Sequence, residues 1–395
     1  MSVGTDDIID NAVTDAKISL DSVYTVWRES LGVDNLSRIL FKRNTISFDP
    51  SIIVSHTGSF GKTAVAVSGD NVYVVSQENI TEPPASDAIW YRRSTDGGAN
   101  FSGAVNLRTT TTGSMFEPSL TASGNNVYVV WDDGGTASQG NDVLYRRSTD
   151  GGANFGSTVN LTENTAADAE ETAMAASGNN VYVLWSNFVT GSSSDILYKK
   201  STNGGTSFGD TKNLSNTAGS SREPAVAVSG NNVYVVWRER ESTTPGNQEI
   251  LYRRSTNAGA NFGSAVNLSN STGLSQLPAI TASGNNVYVV WQDDSLVSGI
   301  PDILYRRSTN GGTTFSGAVN LSNTAGNSGS PAIAASGNNV YVVWHDNTTQ
   351  VAGAQFDILY RKSTNGGANF GSTVNLSNTA QASTIPAIAA SNNLT

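Results

Sequence analysis

Cysteine is absent and histidine nearly so: only His56 and His345 occur in 395 residues. Disulfides and thiolate metal sites are thereby excluded, and two His far apart in sequence make no ligand cluster. Charge is scarce as well. Asp, Glu, Lys and Arg make up 14% of the chain, against about 25% on average. Basic residues are the scarcer sign, 23 against 33 acidic, for a net charge of −10, which argues against nucleic acid as a partner. No apolar run approaches the ~20 residues of a membrane-crossing helix, so no such span is expected. Hydrophobic residues at 37%, with 39 Gly beside them, still give an ordinary apolar content, so the composition is not that of a disordered chain. Length alone, at roughly 150 residues per domain, would suggest two or three domains.

What is present is a repeat. The segment Asn286-Val287-Tyr288-Val289-Val290-Trp291 recurs with little change, and its Tyr falls at Tyr24, Tyr73, Tyr128, Tyr182, Tyr234, Tyr288 and Tyr341. Seven units of similar length follow, after an N-terminal arm over 1–20, and the repeat region is expected to span 21–395. Each unit holds four short strand-like runs. In the unit from Pro278 these are Ala279 to Ser283, Asn286 to Trp291, Ile303 to Arg307 and Ala318 to Leu321. The second run is apolar on both alternating sets, so both of its faces should be buried. The first is rich in Ala and Ser, which suits a crowded centre. The fourth is short and half polar, as an exposed edge should be. Four strands repeated seven times predict an all-β, seven-bladed β-propeller. The chain begins with a second strand (Val23 to Trp27) and ends with a first strand (Ile388 to Ser391). Pairing those two complementary stumps would close a ring; a linear solenoid would explain neither.

Between third and fourth strands lies Ser94-Thr95-Asp96-Gly97-Gly98-Ala99-Asn100-Phe101, returning from Ser148, Ser201, Ser255, Ser308 and Ser363. Two copies carry Asp (Asp96, Asp150) and four carry Asn (Asn203, Asn257, Asn310, Asn365). Either side chain can accept hydrogen bonds from its own turn, Gly takes positive φ, and the aromatic should plug the turn into the blade. The first unit has Asn44 to Phe48 instead. The turn resembles the Asp-box, Ser-x-Asp-x-Gly-x-x-aromatic, of the sialidase-like (bacterial neuraminidase repeat) propellers, and the resemblance covers the chain after residue 20. It implies a fold rather than an activity, with the box a structural feature on the face away from the active site. Enzymes of that family use three Arg, a Tyr–Glu nucleophile pair and an Asp acid, usually on six blades. Here all 13 Tyr fall on repeat positions and the expected Arg-Ile-Pro signature is missing. Units this alike are expected to leave no asymmetric pocket, which chemistry on one bond requires.

The few charges sort to the two ends of each blade. Two residues past the second-strand Trp position stand Glu29, Glu78, Asp133, Asn187, Glu239, Asp293 and Asp346. Third strands open with Asp142, Asp195, Glu249, Asp302 or Asp357 and close with basic pairs such as Arg146-Arg147 and Arg306-Arg307. An acidic loop face and a more basic turn face are expected. They could simply cap strand ends, or join discs head-to-tail into an open-ended homo-oligomer. No spacing resembles a Ca²⁺ loop, so neither metal nor cofactor is expected. The loops at 79–86, 134–141, 188–194, 240–248, 296–301 and 347–356 differ between units, and the fourth-to-first-strand loops add Phe116, Glu117, Glu171, Arg222 and Glu223. Phe60, Phe116, Phe188 and Phe356 are the aromatics outside repeat positions; each is either a loop plug or a platform for a sugar. Gly58 to Thr63 echoes half a phosphate loop, but a strand rather than a helix follows.

The arm, Thr5 to Ile18, has neither a basic start nor an apolar core and does not read as a secretory signal. Its Ala12-Val13-Thr14-Asp15-Ala16-Lys17-Ile18 is weakly similar to segments of phage tail fibres and other virion appendages. The expected protein is a non-enzymatic propeller of an extracellular, cell or virion surface, binding a glycan or protein through its loop face. The alternative is a sialidase-like glycoside hydrolase acting on acidic sugars.

Overall fold

The computed structural model describes residues 20–393 apart from 33–35, 45–48, 50, 56–58, 81–85, 111–114, 135–139, 163–167, 189–192, 241–246, 298 and 349–354. These form seven four-stranded antiparallel sheets, the blades of a β-propeller. The first blade joins both ends of the chain. Its inner strand is Ser383–Asn393, followed outward by Leu20–Ser30, Ser37–Asn44 and Ile52–Ile53. Val23 pairs with Ala390 and Tyr24 with Ala389, so the ring closes by the strand exchange that the two stumps imply. Blades 2 to 7 follow in order, with inner strands Ser59–Ser68, Met115–Ser123, Asp168–Ser177, Ser220–Ser229, Ser275–Ser283 and Ser328–Ser336. The arm over 1–19 lies outside the described residues.

The second strand shows why its pattern has no polar face. In blade 3, Val127, Val129 and Trp131 pack against Tyr73, Val75, Ile89 and Tyr91 of blade 2. Tyr128 and Val130 point the other way, onto Met174, Val181, Val183 and Trp185 of blade 4. Alternation along the strand therefore becomes alternation between two neighbours. Blade 2 departs from the rule. Ser76 takes the Trp position, and the indole comes from Trp90, directly across the pair on the third strand. At the centre, Ala66, Thr121, Ala175, Ala227, Thr281, Ala334 and Ala389 each pair with their blade's second-strand Tyr. They line an axial channel of about 310 Å³. Larger side chains there would crowd seven converging strands.

The Gly-rich turns fasten one blade to the next. Ser94 Oγ donates to Asp96 Oδ1 at 2.6 Å and accepts from Gly98 N at 2.8 Å, while Asp96 Oδ1 accepts from Asn100 N at 2.9 Å. Asn203 does the same work, accepting from Ser201 Oγ at 2.8 Å and Ser207 N at 3.0 Å. The aromatic does not plug into its own blade. Phe155 of blade 3 meets Tyr91 of blade 2 edge-on at 4.8 Å, and Phe208 of blade 4 meets Tyr145 of blade 3 at 5.1 Å. The preceding blade's Tyr also donates to the turn, as Tyr145 Oη does to Gly205 O at 3.2 Å and Tyr252 Oη to Gly312 O at 3.1 Å.

These turns carry a pH signature. Hydrogen bonds from Ser94 and then Asn100 hold the Asp96 carboxyl down to about 2, and equivalent bonds from Ser148 and Asn154 lower that of Asp150. A carboxyl with a depressed folded-state value contributes stability that is full above about pH 4 and fades as the pH falls toward 2. Replacing both by Asn, as four turns already have, is expected to flatten the stability profile across that window while leaving neutral stability nearly unchanged. Urea midpoints at neutral and acid pH would check this; an unaltered acid slope would contradict it.

Candidate functional site

The structure places the six acids predicted on the second strands inside the protein. Glu29, Glu78, Asp133, Glu239, Asp293 and Asp346 are all buried. Glu29 binds Arg38 Nε at 2.7 Å, and Asp133 binds Arg108 Nε at 2.9 Å. Glu239 accepts from Ser221 Oγ at 2.5 Å and Trp237 Nε1 at 3.1 Å. Asp293 accepts from Ser275 Oγ at 2.7 Å and Trp291 Nε1 at 3.1 Å, and Asp346 from Ser328 Oγ at 2.6 Å. Third-strand acids pin the outer strand similarly, Asp302 through Ser322 Oγ at 2.6 Å and Asp357 through Ser377 Oγ at 2.8 Å. Hydrogen bonds to a charged group contribute about 1.5–3 kcal/mol each. The ring of acids thus holds loops and edge strands in place rather than facing solvent.

The basic pairs are spent on neighbouring backbone. Arg147 Nη1 donates to Gly204 O at 2.6 Å, Arg254 to Gly311 O at 2.7 Å and Arg307 to Gly366 O at 2.9 Å, each in the next blade. The first residue of the pair reaches backward: Arg146 to Leu107 O at 2.9 Å, Arg361 to Leu321 O at 2.8 Å, and Lys42 to Leu376 O at 2.6 Å across the ring closure.

The repeat breaks down where the acidic end opens onto the channel. Each inner strand carries a β-bulge there. The bulged residue has positive φ in six blades: Glu117, Glu171, Glu223, Leu277, Ser330 and Ile385, between 47° and 55°. Because Leu, Ser and Ile share the conformation, the strain belongs to the fold and the three acids are added to it. The adjacent second-strand position is equally varied, holding Gln77, Asp132, Ser186, Arg238, Gln292, His345 and Arg28 from blade 2 round to blade 1. Blades 2 to 5 are charged here. Blades 6 and 7 are nearly neutral. The expectation that no sector differs from its siblings therefore fails at this mouth, since equivalence is enforced by packing along the strands and is released where they end.

Within the charged arc, Lys62 Nζ binds Glu117 Oε2 at 3.1 Å. Glu171 Oε2 accepts from Ser186 Oγ at 2.7 Å and from Glu223 N at 2.6 Å in the next blade. Glu223 in turn accepts from Leu277 N at 2.7 Å and pairs with Arg238 Nη2 at 3.2 Å. Asn141 Nδ2 donates to Glu170 Oε1 at 3.3 Å. Burial, then the charges of Glu117 and Glu170, push the Asp132 carboxyl well above the usual carboxylate range. Burial followed by Glu171 raises Glu170, and burial raises Glu223 against the pull of Arg238. Burial opposes the charge of Lys62, but Glu117, Glu171 and Asp132 outweigh it and raise the ammonium.

The aromatic candidates are engaged. Arg222 lies 4.1 Å from the centre of the Phe188 ring, covering one face. Phe356 meets His345 edge-on at 4.7 Å, and burial pushes that imidazole down to about 4. The Phe60 and Phe116 side chains fall outside the described residues, as do most of the variable loops. Among the sequence candidates, the mouth brings together Glu117, Glu171, Arg222 and Glu223. It adds Lys62, Asp132, Glu170 and Arg238, which sequence reasoning passed over. The signal for Asp132 and Arg238 was a second-strand position whose charge changes from unit to unit; Lys62 and Glu170 stand on inner strands, where no such position marked them. Among the described residues no group of three or more His, Asp or Glu is placed to hold a metal ion, and no helix is long and apolar enough to cross a membrane.

Fold and mouth together define a seven-bladed β-propeller with one polar, asymmetric opening. No family profile matches the sequence, and no curated protein matches it. Solved structures do. A protein of unknown function from Dyadobacter fermentans superposes with a TM-score of 0.54 at 14% identity, over 76% of this chain and 93% of that one. Trypanosoma rangeli sialidase gives 0.52 at 15% identity, over 79% of this chain and 55% of its own. An α-L-arabinofuranosidase from Fusarium graminearum gives 0.50 at 11%, over 76% and 92%. The chain shares the sialidase-like propeller fold and spans little more than half the length of the sialidase.

Proposed function

We propose that this protein is a carbohydrate-binding propeller whose site is the channel mouth on blades 2 to 5. The observation that carries the reading is the loss of repeat equivalence at this mouth, where Lys62, Glu117, Asp132, Glu170, Glu171, Arg222 and Glu223 gather beside the channel. Carboxylates and a planar guanidinium around a concavity suit a ligand dense in hydroxyls. The fold likeness to two enzymes whose names mark them as acting on glycosides agrees with that class. A role on a cell or virion surface, and the Asp-box ancestry of the turns, belong to the same proposal. Head-to-tail stacking draws no support from side chains that are already buried or hydrogen-bonded within the disc.

The test is titration calorimetry with a panel of oligosaccharides. Glu171→Gln and Arg222→Ala are each expected to weaken binding about tenfold, near 1.4 kcal/mol. Gln276→Ala, at the position on blade 6 equivalent to Arg222, is expected to leave it unchanged. Binding that ignores the first two substitutions would move the site elsewhere.

One observation favours turnover as a second reading. A carboxyl pushed up by burial (Asp132) beside an ion-paired Glu117 resembles the pairing that glycoside hydrolysis uses as acid and base. All 13 Tyr, however, are buried at repeat positions between blades, so no Tyr stands at the mouth as a nucleophile. Hydrolysis of a fluorogenic glycoside, abolished by Asp132→Asn, would establish the second reading over the first.

A further inference from the structure

We infer that the ligand of this mouth presents a cationic amino group, and that Asp132 with Glu170 receives it. This rests on the carbohydrate reading and narrows it to sugars bearing a free amine. Two independent observations carry it.

The first is an unused acceptor. Asp132 is only 1% exposed, and its Oδ1 has no hydrogen-bond partner among the described residues. The residue pairs across the strand with Phe116 at the bulge. It shares the strand face of Val130, which turns toward blade 4. Its charged neighbours are Glu117, Glu170 and Lys62, all at the mouth. A buried acceptor left empty is costly to the fold; a donor arriving with the ligand would recover that cost.

The second is the balance of charge. The arc on blades 2 to 5 holds five carboxyl groups (Glu117, Asp132, Glu170, Glu171, Glu223) against three cations, with Arg28 of blade 1 beside it. Lys62 sits on Glu117, Arg238 on Glu223, and Arg222 over Phe188. With carboxyl groups in excess over cations, an anionic sugar would enter a field of its own sign. An ammonium has three donors and no acceptor, which suits a site of spare carboxyl oxygens. Its arrival would favour the ionised form of Asp132, against burial, Glu117 and Glu170, which push that carboxyl up, so binding is expected to be linked to proton release.

The experiment is calorimetry on the full chain with three probes: di- and triglucosamine, their N-acetylated counterparts, and sialyllactose. Glucosamine oligomers are expected to bind at least about tenfold tighter than the N-acetylated ones. That preference should vanish in Asp132→Asn and shrink in Glu170→Gln. Repetition in buffers of different ionisation enthalpy should show proton release that the Asp132→Asn variant lacks. Equal affinity for the N-acetylated oligomers would overturn the amine inference and leave carbohydrate binding standing, as would a preference that survives in Asp132→Asn. Tighter binding of sialyllactose would overturn it outright. Binding of spermidine with the same dependence on Asp132, and of no sugar, would keep the cationic ligand and overturn the carbohydrate reading.

Discussion

Replacing Gly312 by Ala is expected to cost at least about 3 kcal/mol and to lower the melting midpoint by several degrees. Gly312 has φ of +73°, and a Cβ built there would lie 1.9 Å from Tyr252 Oη. Tyr252 is almost wholly buried, and its hydroxyl donates to Gly312 O at 3.1 Å. The ring has nowhere to go: Phe315 lies edge-on at 5.0 Å and Tyr234 is also close. Three terms add. Positive φ costs Ala about 1–2 kcal/mol, overpacking about 1–3, and the lost hydrogen bond about 1. Gly284 of the same blade isolates the first term, with φ of +58° and nothing within 4 Å of its would-be Cβ. Gly284→Ala should therefore cost about 1 kcal/mol. Calorimetric melting of both variants checks the difference; equal losses would mean that the Tyr–Gly contact between blades contributes nothing.

The largest effect is expected from removing residues 383–395. Ser383–Asn393 is the inner strand of the first blade, paired along Leu20–Ser30. Without it Val23, Trp27 and Leu40 lose Ile388 and Ala390, which pack on their cluster. The ring also loses its closure, and seven blades that each rely on two neighbours become a row with two open faces. A fall in midpoint exceeding about 10 °C is expected, with a broader transition and early proteolysis at blade 1. A truncated chain melting within about 2 °C of the full one would show that closure is not what makes the propeller cooperative.

Much of this could be read in the sequence, for a reason peculiar to repeats. One unit is ambiguous, but seven aligned copies average out everything that is not structural, so the Tyr and Trp positions stood clear. The roles of the conserved-looking positions were less legible. Asp293 and Arg307 fell on the predicted ends of the blades, yet one is buried under Ser275 and Trp291 and the other reaches into the next blade. Spacing within a unit says which end of a strand a side chain occupies. It does not say whether a neighbouring unit covers it. The turn aromatic shows the same limit: the partner of Phe155, Tyr91, is 64 residues away and belongs to the preceding blade.

The sequence by itself determined the all-β class, the number of blades, the exchange of strands that closes the ring and the turns that recur between third and fourth strands. These follow from periodic burial, which is written into each unit. The tertiary structure alone decided which charges remain available. Lys62, Asp132, Glu170 and Arg238 belong to four different units and meet only because seven bulged strands converge on one axis. At that convergence the units cease to be copies of one another.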